Sequence, residues 1–230
     1  MSYNVVSNFT EPLTELVMRI LLSCLVLIAF GLSGCQSAYY GTMEKLGVHK
    51  REILVDRIED SRDSQLEAQE QFKDALEEFR SVVEVDGGDL EKMYDRLSDE
   101  LSDSEAAADE IDSRIDRVED VADALFDEWT DEIEDYSSAK LKRSSQNQLR
   151  DTRRHYESLL KTMRRAQKSM DPVLANFRDQ VLFLKHNLNA SAIASIRGEF
   201  DTISVDIQRL ISQMQRSIDE SDAFIRRLKG

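Results

Sequence analysis

The chain has 230 residues, a formal net charge of −15, two cysteines, two prolines and charged side chains at one position in three. So acidic a balance excludes general binding to the phosphate backbone of nucleic acid, and two cysteines cannot build a disulfide framework. Scarce proline together with dense charge predicts an elongated helical object rather than a globule.

The first element is "RILLSCLVLIAFGLSGCQSAYYG" (19–41). No charged residue interrupts Ile20 to Gly34, but the run falls short of the roughly 20 apolar residues that cross a ~30 Å hydrocarbon layer. Arg19, the apolar block Ile20 to Phe30 and the small Ser33 and Gly34 follow the order of a secretory signal instead. The tetrad Leu32-Ser33-Gly34-Cys35 resembles the lipobox of bacterial lipoproteins. That resemblance implies cleavage between Gly34 and Cys35 and a diacylglycerol on the Cys35 sulfur, with residues 1–34 a signal peptide and 35–230 one periplasmic domain. Glu11 and Glu15 make residues 1–17 an unusual leader, whereas Met18-Arg19-Ile20 reads as a complete start, so 1–17 is expected to be a spurious extension. Cys24 falls in the removed segment and Cys35 carries the lipid, which leaves no thiol for a disulfide, a nucleophile or a metal. In Gram-negative lipoproteins aspartate after the cysteine signals inner-membrane retention; Gln36 in that place implies the outer membrane. Tyr39 and Tyr40 suit a membrane interface and equally suit the start of a buried helical stripe.

Downstream, apolar residues recur at spacings of three and four, the mark of heptad seams. A loose first seam joins Leu46, Ile53, Ile58, Leu66, Phe72, Leu76, Phe79 and Val83. The second runs Leu90, Tyr94, Leu97, Leu101, Ala108, Ile111, Ile115, Val118, Ala122, Leu125, Trp129 and Tyr136, interrupted at Ser104 and Glu132. The last runs Phe200, Ile203, Ile207, Leu210, Met214, Ser217, Ser221, Phe224 and Leu228. The expected fold is all-α, an antiparallel bundle of three long helices, or four if the polar stretch 137–148 opens into a turn. "EVDGGDLE" (84–91) offers Gly87 and Gly88 to end a helix and Asp89 to cap the next; "SMDPVL" (169–174) offers Asp171 and Pro172 for a second helix–helix turn. Two weaker breaks are expected, at the capping box Ser102–Glu105 and within 185–198, where the last seam changes phase.

Charge is patterned in blocks. Residues 84–135 hold 22 acids and four bases; residues 140–168 hold ten bases and two acids. The blocks are expected to pair, within the monomer or across a homo-oligomer. The alternative is that the basic segment, with Arg153, Arg154, Arg164 and Arg165 as its candidate binding residues, faces an anionic surface such as phospholipid or lipopolysaccharide, or a glycan.

"LSGCQSAYYGTMEKLGVHKREILVDRIED", "DGGDLE", "VEDVADALFDEW" and "LKHNLNA" resemble the recurring segments of a Gram-negative lipoprotein family known only as a domain of unknown function. The likeness spans the mature chain and implies a shared fold and address but no reaction. Some members carry a DNA-repair ATPase label, yet this chain has no glycine-rich loop ending in Lys-Ser or Lys-Thr, and its one Gly-Gly pair is flanked by carboxylates. His49, His155 and His186 are scattered without metal-ligand spacing. Acidic pairs such as Asp109-Glu110 and Glu134-Asp135 do not face one another on a helix, and Trp129 fits a packed seam better than a sugar platform. The function expected is a non-catalytic outer-membrane scaffold or adaptor, with no cofactor beyond the lipid on Cys35, a membrane and an envelope protein as partners, and no nucleic acid.

Overall fold

Asp89 caps a helix as its position suggests: its side chain accepts a hydrogen bond from the Lys92 amide, which satisfies one of the free N–H groups of the first turn. The computed structural model describes residues 50–84, 89–187 and 190–229. They form five helices and no strand: α1 (Lys50–Glu84), α2 (Leu90–Glu134), α3 (Ala139–Lys168), α4 (Met170–His186) and α5 (Ala190–Lys229). Leu46, His49, Gly87 and Gly88, and the whole of the proposed signal and lipobox, lie outside the described residues.

α1 buries a strict heptad, although not the one its large apolar residues suggest. Leu54, Ile58, Ser61, Gln65, Ala68, Phe72, Ala75, Phe79 and Val82 follow one another at alternating spacings of four and three, none more than 1% exposed. Leu66, expected in the seam, is 45% exposed. In α2 the buried line is Met93, Leu97, Leu101, Ser104, Ile111, Ile115, Val118, Ala122, Leu125 and Ile133. Ser104 therefore occupies the seam rather than interrupting it. Leu90, Tyr94, Ala108 and Trp129 are half-buried and Tyr136 exposed. α2 also runs unbroken through Ser102 and Glu105, and Glu105 pairs with Arg178 of α4.

The polar stretch 137–148 contains both outcomes at once: α2 stops at Glu134, Ser138 caps α3 by accepting from the Leu141 amide, and the remainder is helical. At 169–174 the expected reversal is absent. Arg164 on α3 reaches Asp112 of α2 and Arg178 on α4 reaches Glu105, so the chain keeps travelling in one direction along α2. Pro172 lies in the first turn of α4, where its missing N–H costs least, and the helix restarts at Met170 without changing course. α5 runs back the other way, antiparallel to α1, as Arg62–Asp222 and Gln69–Ile211 show, so the true reversal separates α4 from α5.

Four antiparallel rods result, with α3 and α4 sharing one. α1 joins α2 through Arg114–Asp60 (3.2 Å) and Gln71–Glu100 (2.9 Å). α2 joins α3 through Trp129 Nε1–H to Ser145 Oγ (2.8 Å) and Lys142–Glu134 (2.8 Å). α5 closes the ring against α1 through Arg62–Asp222 (3.0 Å) and against α3 through Arg227 and His155 (2.6 Å). Toward the C-terminal end of α1, Phe79 is stacked on Phe200 at 5.9 Å and edge-on to Phe177 at 6.1 Å, while Tyr156 bridges Phe126 and Phe224. Such offset and edge contacts add to the area buried by each ring.

Candidate functional site: the charged face of α2 and α3

α3 divides cleanly around its axis. Ser145, Tyr156, Leu159, Met163 and Ala166 face the core. Arg143, Arg150, Arg154, Lys161, Arg165 and Lys168, separated by seven, four, seven, four and three residues, form one ridge on the opposite side, each exposed. Helical spacing of this kind superposes side chains along a single stripe. Arg143, Lys161, Arg165 and Lys168 make no ion pair among the described residues.

The four candidate arginines therefore part company. Arg164, 27% exposed, turns inward to α2 and is held by Asp112 at 2.8 Å, Asp116 at 2.5 Å and Glu119. Burial works most strongly against its charge, and the hydrogen bonds it donates to Asp116 and Glu119 outweigh that effect, so its pKa is raised. Arg153 lies 5.1 Å over the Phe126 ring, a cation–π contact. Among the described residues Arg154 pairs only with Asp151 of its own helix, and Arg165 is exposed. The basic block thus does both things its sequence allowed: it ties α3 to the acidic helix and presents a second set of charges outward.

The neighbouring ridge of α2 is acidic. Asp109, Asp116, Asp123, Asp127 and Glu134 are all exposed on the side that adjoins α3, and Asp123 with Glu119 and Asp120 contributes to the raised pKa of Tyr156, whose largest cause is burial. Trp129–Ser145, Glu134–Lys142 and Asp112–Arg164 fix the relative height of the two helices. At that register Arg150 stands level with Asp127, Arg154 with Asp123, Lys161 with Asp116 and Lys168 with Asp109, each within about one residue, or ~1.5 Å of rise.

A family model described as "Protein of unknown function (DUF2959)" matches residues 39–228. The chain belongs to the DUF2959 family. The match takes in α1 to α4 whole and α5 up to Leu228, so the charged face is part of the DUF2959 domain; Leu32 to Cys35 precede it. No curated protein and no solved structure matches the chain.

Sequence reasoning missed the division of the basic block into inward and outward sets, which spacing does not give: Arg164 stands two heptads from Arg150 and is drawn to α2 by Asp112, Asp116 and Glu119. Among the described residues no group of three or more His, Cys, Asp and Glu is placed to hold a metal ion, and no helix is long and apolar enough to cross a membrane. His155 is engaged with Arg227, and His186 is exposed at the end of α4. Cys35, Gly34 and Gln36 lie outside the described residues.

Proposed function

We propose that this DUF2959 protein is an outer-membrane lipoprotein, anchored through diacylglycerol on Cys35, whose periplasmic helices act as a non-catalytic scaffold or adaptor. The observation that carries the reading is the arrangement of its polar groups. Six bases of α3 and five acids of α2 stand exposed along adjacent outer ridges, which suit docking to another surface. The lipobox-like Leu32-Ser33-Gly34-Cys35 supports the anchor, and Gln36 after the cysteine supports the outer membrane.

Metabolic labelling with palmitate tests the anchor. The wild type should take label and sediment with outer membranes, and Cys35→Ser should take none while keeping its helical circular dichroism. Persistent labelling of Cys35→Ser, or an unlabelled wild type, overturns the assignment.

A second reading is favoured by the outward ridge of α3, whose six exposed bases suit an anionic membrane surface or a glycan. It requires wild-type binding to vesicles of anionic phospholipid or lipopolysaccharide that disappears in Arg154→Glu/Arg165→Glu.

A further inference from the structure

The basic ridge of α3 and the acidic ridge of α2 lie side by side on one face of the bundle and run at matched heights. Bases of α3 and acids of α2 that belong to the outer ridges point away from the core, so most of them do not reach each other within the molecule. Arg164 makes the internal link from a position nearer the core. A partner that satisfies both ridges must carry an acidic stripe and a basic stripe, side by side and in the same register.

We propose that this partner is a second copy of the chain, docked face to face through α2 and α3 about a two-fold axis parallel to the helices. Symmetry selects the operator. A two-fold axis running across the helices lays α2 on α2 and α3 on α3, like charge on like. One running along them lays α3 of each copy on α2 of the other without changing height. Arg150 then meets Asp127 of the partner subunit, Arg154 the partner's Asp123 and Lys168 the partner's Asp109, while Lys161 comes level with the partner's Asp116, which Arg164 of the partner subunit also holds, and every pair occurs twice, as an isologous interface requires.

The dimensions agree with a stable pair. From Arg143 to Lys168 the ridge is about 37 Å long at 1.5 Å per residue, and two adjacent helices are about 20 Å wide. A face of that size covers about 750 Å² per copy, close to the ~800 Å² per partner of standard protein interfaces. The same operator sends the start of α1 out of the same end of both copies. Single exposed ion pairs contribute little, so the association depends on many of them acting together and is steeply weakened by salt.

The test uses the full chain, purified in detergent, in two triple variants. Arg150→Glu/Arg154→Glu/Lys168→Glu sets acid against acid at three of the four matched heights, and Asp109→Lys/Asp123→Lys/Asp127→Lys sets base against base at the same three. By sedimentation velocity the wild type should be dimeric at about 0.1 M salt and monomeric at about 1 M, where the screening length falls to ~3 Å. Each triple variant alone should dissociate about 100-fold or more readily, since like charges then oppose one another across the interface. An equimolar mixture of the two should recover a heterodimer, each chain supplying the charge that the other lacks; this also verifies that both variants are folded. A monomeric wild type at about 0.1 M salt, a wild-type dimer indifferent to both triple substitutions, or a mixture that stays monomeric overturns the proposal. So does a wild type that is monomeric but binds vesicles of anionic phospholipid through the α3 ridge, which assigns that ridge to a membrane surface.

Discussion

Gln65 on α1 and Ser217 on α5 are both fully buried and stand level with one another. Their register is set by Arg62–Asp222 below and by the Gln69 side chain on the Ile211 carbonyl above. With Ser61 and Ser221 they form a polar layer in the middle of an otherwise apolar seam. The Gln65 Nε2–H reaches Ser61 Oγ at 3.5 Å, whereas Gln65 Oε1 and Ser217 Oγ have no protein partner. A slip of one heptad would set Gln65 against Leu210 or Phe224 instead, so the layer opposes misregistration while lowering stability.

Gln65→Leu combined with Ser217→Ala should therefore stabilise the fold. Replacing buried, incompletely satisfied polar groups by apolar ones of similar shape removes a desolvation penalty of about 1–3 kcal/mol. The midpoint of urea unfolding should rise with the slope unchanged. A lower midpoint would show that the layer is better satisfied than its hydrogen bonds indicate.

The contrast between Leu66 and its neighbour follows from the same layer. Leu66→Lys should change stability by no more than about 0.5 kcal/mol, as expected of an exposed position. Phe79→Ala, at the centre of the aromatic cluster, should cost about 3–5 kcal/mol. Thermal melting of the two variants side by side checks both.

Much of the fold was legible because two of its seams are rich in large apolar residues. Ile203 to Leu228 on α5 and Ile111 to Leu125 on α2 read directly as heptads and pack as such. α1 was legible at Ile53, Ile58, Phe72, Phe79 and Val83 but not between them: its line is continued by Ser61, Gln65 and Ala68, and hydrophobicity alone draws the eye to Leu66, one position round the helix. The reversal was misplaced for a different reason. Asp171-Pro172 carries a strong start signal, but a start signal marks where a helix begins and does not fix the direction in which it leaves. The cross-links of Arg164 and Arg178 to successive turns of α2 decide that direction, and contacts between residues 52 and 73 positions apart leave no local trace. At the candidate site the blocks of charge were legible, but Arg164 shares its heptad position with Arg143 and Arg150, and only the acids facing it on α2 set it apart.

Glu100 gives the fold a pH dependence of definite sign. Burial raises its pKa above the ordinary 4.5, with Asp103, Asp74 and Glu78 adding to the effect and the hydrogen bond from Gln71 opposing it. A carboxyl whose folded pKa is raised contributes stability that is complete below the unfolded value and lost as pH rises through the folded value. Glu100→Gln should therefore raise the melting temperature at pH 7, and its advantage should vanish below about pH 4.5. Asp89 behaves oppositely. Its side-chain contact with Lys92 and the Lys92 amide hold its pKa below 3.8, so its capping contribution is present at neutral pH and lost on acidification, and Asp89→Asn should flatten that part of the profile. Melting curves of the two variants between pH 3 and pH 7 separate the contributions.

Arg164 and the pair Arg154 and Arg165 belong to one basic block but should respond differently to charge reversal. Arg164 is enclosed by Asp112, Asp116 and Glu119, and glutamate in its place would gather four carboxylates at the joint between α2 and α3. Because the site is partly exposed and screened, the loss should be about 1–3 kcal/mol rather than the full value of a buried ion pair. Arg154 and Arg165 touch no acid of another helix among the described residues, so Arg154→Glu/Arg165→Glu should leave the melting temperature of the monomer at about 1 M salt unchanged within about 0.5 kcal/mol. The Arg164→Glu deficit should itself shrink as salt rises, since screening weakens the repulsion that causes it. Equal melting of Arg164→Glu and the double variant at low salt would mean that the joint between α2 and α3 is held by packing around Tyr156, Leu159 and Met163 alone, and that the inward arginine adds no stability to it.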